Sequence, residues 1–343
     1  MKRSAGFLAL LVATAANADP VRLMSYSDAA FQDNYTNEVI TPFNQKGAAQ
    51  VQFVGGTTSA GMLGQLRTQK NDPQLDLVIM DTTTAAIACA EGLVEPATEA
   101  LVPALKELDP QARKAGGDCG PGVTFDHLVI AYDSKLVSPA PTSLSALWDK
   151  KWSGKLGVSA PPNIQGLALT AVLAHAETGD WKQADGAFKK LRDLAPSVQT
   201  FDPQPDSYTL ILNGTLAFGT GWNARAQLNH DRSGGQLGVM LPSEGTVFQI
   251  NTINVVKSAH NRDAAFAFMN YALGEQAQKA FTEKSFYAPT NAHAAISPAV
   301  AARTAVAPDN LARVIPLDWS EMIKLRETWN QRWRREVISA GTR

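Results

Sequence analysis

Apolar and polar positions along the chain switch between two periods in a regular order. "VRLMSYS" (21–27) reads as a strand ending in polar residues, and "FQDNYTNEVITPFNQK" (31–46) has a broken helical period. "AQVQFVGG" (49–56) alternates and stops on glycines, and "SAGMLGQLRTQ" (59–69) follows as a helix with Ser59 as N-cap. "LDLVIMD" (75–81) is almost continuously apolar, as in a strand buried on both faces, and "TTAAIACAEGL" (83–93) is a helix closed by Gly92. This βαβαβ order predicts a mostly parallel sheet with right-handed crossovers.

"GVTFDHLVIAYDS" (122–134) is one long extended run, long enough to pass between two lobes, and "SPAPTSL" (138–144) marks a boundary. A second α/β unit follows. Helices are predicted at "SLSALWDKKW" (143–152), "GLALTAVLAHAE" (166–177), "WKQADGAFKKLRDLA" (181–195) and "SYTLILNG" (207–214), and strands at "KLGVSAP" (155–161) and "SVQTFD" (197–202). The strand "LAFGTGW" (216–222) leads into the helix "NARAQLNHDR" (223–232), with Asn223 as its cap, and "QLGVMLP" (236–242) is another strand. "SEGTVFQINTINVVKS" (243–258) is a second long extended run that returns the chain to the first lobe. "RDAAFAFMNYALGEQAQKAFTEK" (262–284) reads as one strongly amphipathic helix. In the C-terminal helix, Trp329 and Trp333 lie four apart and read as packing.

The fold class predicted is therefore α/β: two mostly parallel lobes joined by two extended hinge crossings. The boundaries are 19–127 plus 252–310 for lobe 1, 128–251 for lobe 2, and 311–343 for a C-terminal helix packed on either lobe. Open α/β sheets bind ligands beyond the carboxyl ends of their strands. Those ends are "SYSD", "GGTTSAG", "MDTTT", "SAPPNIQG" and "GTGWN", all of them polar, small or aromatic.

The first eighteen residues have another character. Lys2 and Arg3 precede the apolar run "GFLALLVATA", which is too short to span a bilayer, and "ANA" (16–18) supplies small residues before a cleavage point. Residues 1–18 read as a secretory signal peptide cut after Ala18. Its removal takes two basic residues and no acid, so 31 basic against 32 acidic becomes 29 against 32, and the net charge moves from −1 to −3. That balance, with no basic stripe, argues against nucleic acid and an anionic membrane as partners. In an exported protein the isolated pair Cys89 and Cys119 reads as one disulfide.

Catalytic patterns are missing from the sequence. The five histidines (127, 175, 230, 260 and 293) form no metal-ligand spacing, and there is no G-x-S-x-G elbow. His127 reads as structural. Thr58 and Ser59 stand at a helix N-terminus, where free N–H groups favour an acceptor or anion. No metal and no cofactor is predicted.

The ordered set "DLVIMDTTTAAIACAEGLVEP", "SLSALWDKKWSGKLGVSAPPN", "LAFGTGWNARAQ", "LPSEGTVFQINTINVVKSAHNRDAAFAFMNYAL" and "FYAPTN" resembles the type II periplasmic solute-binding proteins of ABC importers, most closely the spermidine/putrescine-binding group. The resemblance implies a periplasmic protein, a monomer, that closes on a small solute between two lobes and delivers it to membrane permease subunits. It is not inserted in the membrane and is not an enzyme. The group's ligand positions fall on Ser27, Asp28, Asp81, Thr83, Phe125 and Trp222. Its acidic positions fall on Asn163 and Gln165 in the second lobe and on Gln249 and Asn251 in the second crossing. A buried ammonium needs a carboxylate or an equally good acceptor, so the loss of these acids argues against a polyamine. The chain also lacks the adjacent tyrosine pair used by ferric-ion binders of the same superfamily. A small polar solute is expected: an amino-acid-like zwitterion, a monoamine, or an organophosphonate or carboxylate. Two alternatives are an exported hydrolase-like enzyme in an α/β cleft and an adaptor presenting its ligand to a sensory receptor.

Overall fold

The computed structural model describes residues 19–47 and 49–341; the proposed export segment, 1–18, lies outside the described residues. The chain opens with β1 (Val21–Tyr26) and α1 (Ala29–Tyr35). A π-turn over Thr36–Ile40 then leads into α2 (Thr41–Gln45). The inserted residue of that turn accounts for the broken helical period in the sequence. Next come β2 (Val51–Gly56), α3 (Ser59–Thr68), β3 (Leu77–Asp81), α4 (Thr82–Ala90) and the short α5 (Pro110–Arg113). β1 lies parallel to both β2 and β3, as the βαβαβ pattern requires.

β4 (Gly122–Asp133) is the first crossing, twelve residues long and buried throughout. Its first half pairs antiparallel with β9 (Phe248–Val255), and its second half, from Leu128, pairs antiparallel with β7 (Phe218–Trp222). β9 in turn pairs with β3 of the first lobe. The second lobe adds β5 (Leu156–Gly157), α6 (Ile164–Thr178), α7 (Asp185–Leu194), β6 (Val198–Thr200) and α8 (Ser207–Leu212). After β7 come α9 (Asn223–Arg232) and β8 (Leu237–Met240), which pairs with the far end of β4. The two crossings therefore run antiparallel to their neighbours, while the rest of each lobe's sheet is parallel.

The chain ends in helices: α10 (Arg262–Ala272), α11 (Glu275–Ser285), α12 (Pro298–Ala301), α13 (Pro308–Leu311) and α14 (Trp319–Arg332). The single long helix expected over 262–284 is two helices, broken at Leu273–Gly274. The helix expected over 143–152 is two short 3₁₀ turns, in which Ser143 and Asp149 each bond a backbone N–H two residues on and favour a turn over a helix. "KLGVSAP" pairs as a strand only at Leu156–Gly157.

Separate apolar cores stand behind the two halves of the sheet. One gathers Leu23, Phe31, Leu77, Ile79, Phe266 and Phe281; another gathers Leu156, Leu169, Phe188 and Phe218. Trp319, Met322, Trp329 and Trp333 join the second core, α14 also lies against α4 of the first half, and the Trp333 indole N–H donates to Thr170. Cys89 and Cys119 are bonded, tying the end of α4 to the glycine-rich loop before β4. Gly120 in that loop is required by space, because a Cβ there would meet the Asn254 side chain at 1.9 Å.

Candidate functional site

The carboxyl ends of β1, β2 and β3 meet in one hydrogen-bonded knot. The Tyr26 hydroxyl lies 2.8 Å from Ser59 Oγ and donates to Asn251 Oδ1 at 3.2 Å. Ser59 Oγ also accepts the Asp81 N–H at 3.0 Å. Ser59 is therefore not the helix cap expected. Thr58 is the cap, accepting the Gly61 N–H at 3.1 Å, and the Ser59 side chain is buried among strand ends. Burial, reinforced by Asp81, raises the Tyr26 hydroxyl and keeps it a neutral donor.

The two acids of this lobe have different work. Asp81 caps α4 and accepts from Thr83 Oγ1, the Thr84 N–H and Thr84 Oγ1 at 2.6–2.9 Å. Its lone pairs are largely committed to its own helix. Asp28 caps α1 with one oxygen, accepting the Phe31 N–H, and its other oxygen accepts from the Arg225 guanidinium at 2.9 Å. That ion pair joins the first lobe to the second. Its side chains keep only 25% and 33% exposure. Burial alone would lower the Arg225 guanidinium, but Asp28 and the neighbouring tyrosines outweigh it and the net shift is upward.

Arg225 sits in the first turn of α9, just beyond Trp222. Both backbone polar groups of Trp222 are held by the buried Tyr208 hydroxyl, which lies 2.7 Å from its N–H and 3.0 Å from its carbonyl. The indole is half-buried at the edge of the second core. Asn223 is not the cap expected: its amide donates to the Arg303 carbonyl and accepts from Gln227. Arg303 lies 4.2 Å over the Phe286 ring and grips Gln227 and Asp231 farther along α9. Tyr287 is buried next to Phe286, and burial together with Asp28 raises its hydroxyl.

The crossings supply an amide ladder. Gln249 donates to Asn251, and Asn251 donates to Thr124 Oγ1 across the β4–β9 pairing. Alternation sends the intervening residues to the other face. Phe125 goes there, 3% exposed and stacked on Phe248 at 4.8 Å, as part of the first apolar core. His127 is also fully buried, with burial pulling it down to about 3, which keeps it neutral.

The residues predicted from sequence thus fall into groups. Ser59, Asp81, Gln249 and Asn251 share the Tyr26 network, and Asp28 is joined to the Trp222 turn through Arg225. Thr83 is buried and spends its hydroxyl on Asp81. Gln165 is buried and accepts from Thr220, two residues before Trp222. Asn163 caps α6, and Asn163, Ser27 and Thr58 are exposed. Tyr26, Tyr208, Tyr287 and Arg303 were not anticipated. Asn251 is 225 residues from Tyr26 and Gln227 is 76 from Arg303, so no local pattern signals those pairs, and even Trp222, 14 residues from Tyr208, lies on a separate element.

A groove of about 490 Å³ opens on the opposite alternation, lined by Thr82, Gln111, Lys114, Ile250, Asp318 and Trp319 among others. Its volume suits a small molecule. None of the sequence-predicted residues lines it; Thr82 and Ile250 lie between them in the chain.

Residues 38–333 match the family of bacterial extracellular solute-binding proteins. The chain is 24% identical to the spermidine/putrescine-binding periplasmic protein of Salmonella typhimurium over 318 residues, 89% of this chain and 88% of that one. It is 25% identical to the gamma-aminobutyric acid-binding protein of Pseudomonas aeruginosa over 300 residues, 83% of this chain and 80% of that one. Among solved structures, an ABC transporter substrate-binding protein from Bradyrhizobium japonicum superposes with a TM-score of 0.77 at 21% identity, covering 92% of this chain and 99% of that one. A GABA receptor superposes with a TM-score of 0.75 at 24% identity, covering 92% and 97%. The two-lobed fold, the polar strand ends facing the crossings and the span of the match agree: the chain belongs to the bacterial extracellular solute-binding protein family, and it binds a solute rather than transforming one.

Proposed function

We propose that the protein is a periplasmic receptor that captures a small amino-acid-like zwitterion between its lobes and hands it to the permease of an ABC importer. The observation that carries the solute class is the Arg225–Asp28 pair. It sets one cation directly against one anion, with Tyr208 and Tyr287 beside them and the carboxyls of Asp126 and Asp206 within electrostatic reach of Arg225. A solute with a carboxylate and an ammonium group can insert between them, its carboxylate on Arg225 and its ammonium on Asp28. Each protein charge then exchanges one partner for another, and no charge is left stranded. The Trp222 ring offers an apolar wall for the carbon chain between the two ends.

A polyamine fits less well. It brings two or more cations, and Arg225 would repel one of them while Asp81 is occupied in capping α4. The named relatives include both polyamine and gamma-aminobutyrate binders, so the family accommodates either chemistry. A thermal-shift screen with γ-aminobutyrate, other amino acids, putrescine and spermidine separates them. Stabilisation by the amino acids alone supports the reading, and stabilisation by spermidine alone overturns it. Mass spectrometry of the solute after incubation should find it unchanged.

A further inference from the structure

The helix that carries Arg225 lacks a cap of its own. α9 has ten residues, and its N-cap residue, Trp222, makes no side-chain capping bond. The next side chain, Asn223, is turned away to the Arg303 carbonyl. The first N–H groups of a helix must find acceptors, most of all where the end is buried, and Asn223 and Ala224 are 2% and 0% exposed. The acceptor comes from a distant strand. Asp126 Oδ1 takes the Ala224 N–H at 3.1 Å and its neighbour's His127 N–H at 2.8 Å. Asp126 is 1% exposed, and its Oδ2 has no hydrogen-bond partner among the described residues.

The position of Asp126 in the fold gives this bond a consequence. Asp126 stands opposite Gln249 in the half of β4 that pairs with β9, and two residues later β4 begins to pair with β7. Its carboxylate therefore ties the start of α9 to the junction of the two lobes.

We propose that Asp126 is a positioning residue for solute binding: it caps α9 from the hinge strand and so fixes the turn that presents Trp222 and Arg225. This deepens the zwitterion reading and rests on it only for the choice of probe. Asp126 does not itself need to touch the solute.

The test compares Asp126→Asn with Asp126→Ala, using γ-aminobutyrate as the probe in calorimetry and hydrogen exchange on the 222–228 segment. Asn keeps an acceptor oxygen and loses the charge, whereas Ala loses both. Asp126→Ala should weaken binding about tenfold, the cost of a lost cap. It should also speed exchange in 222–228 while β4 and β9 stay protected. Asp126→Asn should recover most of both. Where Asp126→Ala does not fold, Asp126→Val, which suits a strand and also removes the acceptor, replaces it. Unchanged exchange at 222–228 in the Ala or Val variant overturns the proposal, as does equal binding by the Asn and Ala variants. Failure of the wild type to bind γ-aminobutyrate would refute the solute class instead, and the exchange comparison would still decide the role of Asp126.

Discussion

Arg225 is the residue on which the solute reading turns. Its replacement by Ala should cost about 2–5 kcal/mol of binding, because the solute carboxylate would lose a desolvated charge partner. Arg225→Lys should recover only part of this, since a point charge cannot present two parallel N–H donors. Trp222→Ala should cost about 1–3 kcal/mol if its ring walls the site, measured by the same titration. A solute seated in the groove beside Lys114 and Asp318 would be indifferent to all three substitutions. Two neighbouring buried groups give a pH test. Burial pushes the Asp126 carboxyl up to about 7 from 3.8, against the pull of the Ala224 and His127 N–H groups, and burial lowers His127 to about 3 from 6.5. Asp126 therefore contributes stability that is present below pH 3.8 and lost as pH rises to 7, while His127 contributes stability that is present above pH 6.5 and lost as pH falls towards 3. The two oppose each other between pH 4 and 6.5. Asp126→Asn removes one side of the balance, so on acidification from pH 8 to 5 the variant should lose stability relative to wild type. Urea midpoints that run parallel across this range would contradict the assignment.

Elements with strong local signals were legible in the sequence. The nine strands among the described residues were all anticipated, as were the closing glycine of α4, the buried character of β3 and the extended form of the crossings. What could not be read locally was decided by remote partners. Ser59 and Asn223 both look like helix caps. Each is claimed by a distant group, Tyr26 for one and the Arg303 carbonyl for the other, and the caps pass to Thr58 and to Asp126. Phe125 looked like a cleft aromatic, but its place in the strand alternation sends it to the core beside Phe248. The Cys89–Cys119 bond was legible from residue count and the expected compartment. Closing a loop with a sequence separation of 30, it should contribute roughly 3–4 kcal/mol in the chain-entropy model. Reduction, or the double substitution of both cysteines by Ala, should lower the melting temperature without altering affinity at 25 °C, since the bond ties α4 to a loop away from α9.

At the scale of the molecule, the two lobes are linked by β4 and β9, and both α9 and α14 touch elements of each. Ala224 packs into the first core, Ala226 packs with Tyr208 and Ile211 of the second lobe, and Arg225 reaches Asp28. On the proposed hinge, opening about the crossings breaks the Asp28–Arg225 bond along with the grip of Arg303 on α9, and a solute that substitutes for both partners of the first pair would stabilise the closed form by its differential affinity for it. The expected result in small-angle scattering is compaction on adding the true solute and its absence in Arg225→Ala. The two-lobed plan was readable from the order of strand-like and helix-like runs. The pairing of Arg225 with Asp28 was not, because 197 residues separate them and nothing local marks the match. The central claim is that this pair selects a zwitterion, and the most direct measurement is calorimetric titration of γ-aminobutyrate and putrescine into the wild type and Arg225→Ala side by side. The account predicts one γ-aminobutyrate bound per wild-type chain, binding lost in the variant, and no heat from putrescine in the wild type. Tight putrescine binding that survives removal of Arg225 would contradict it.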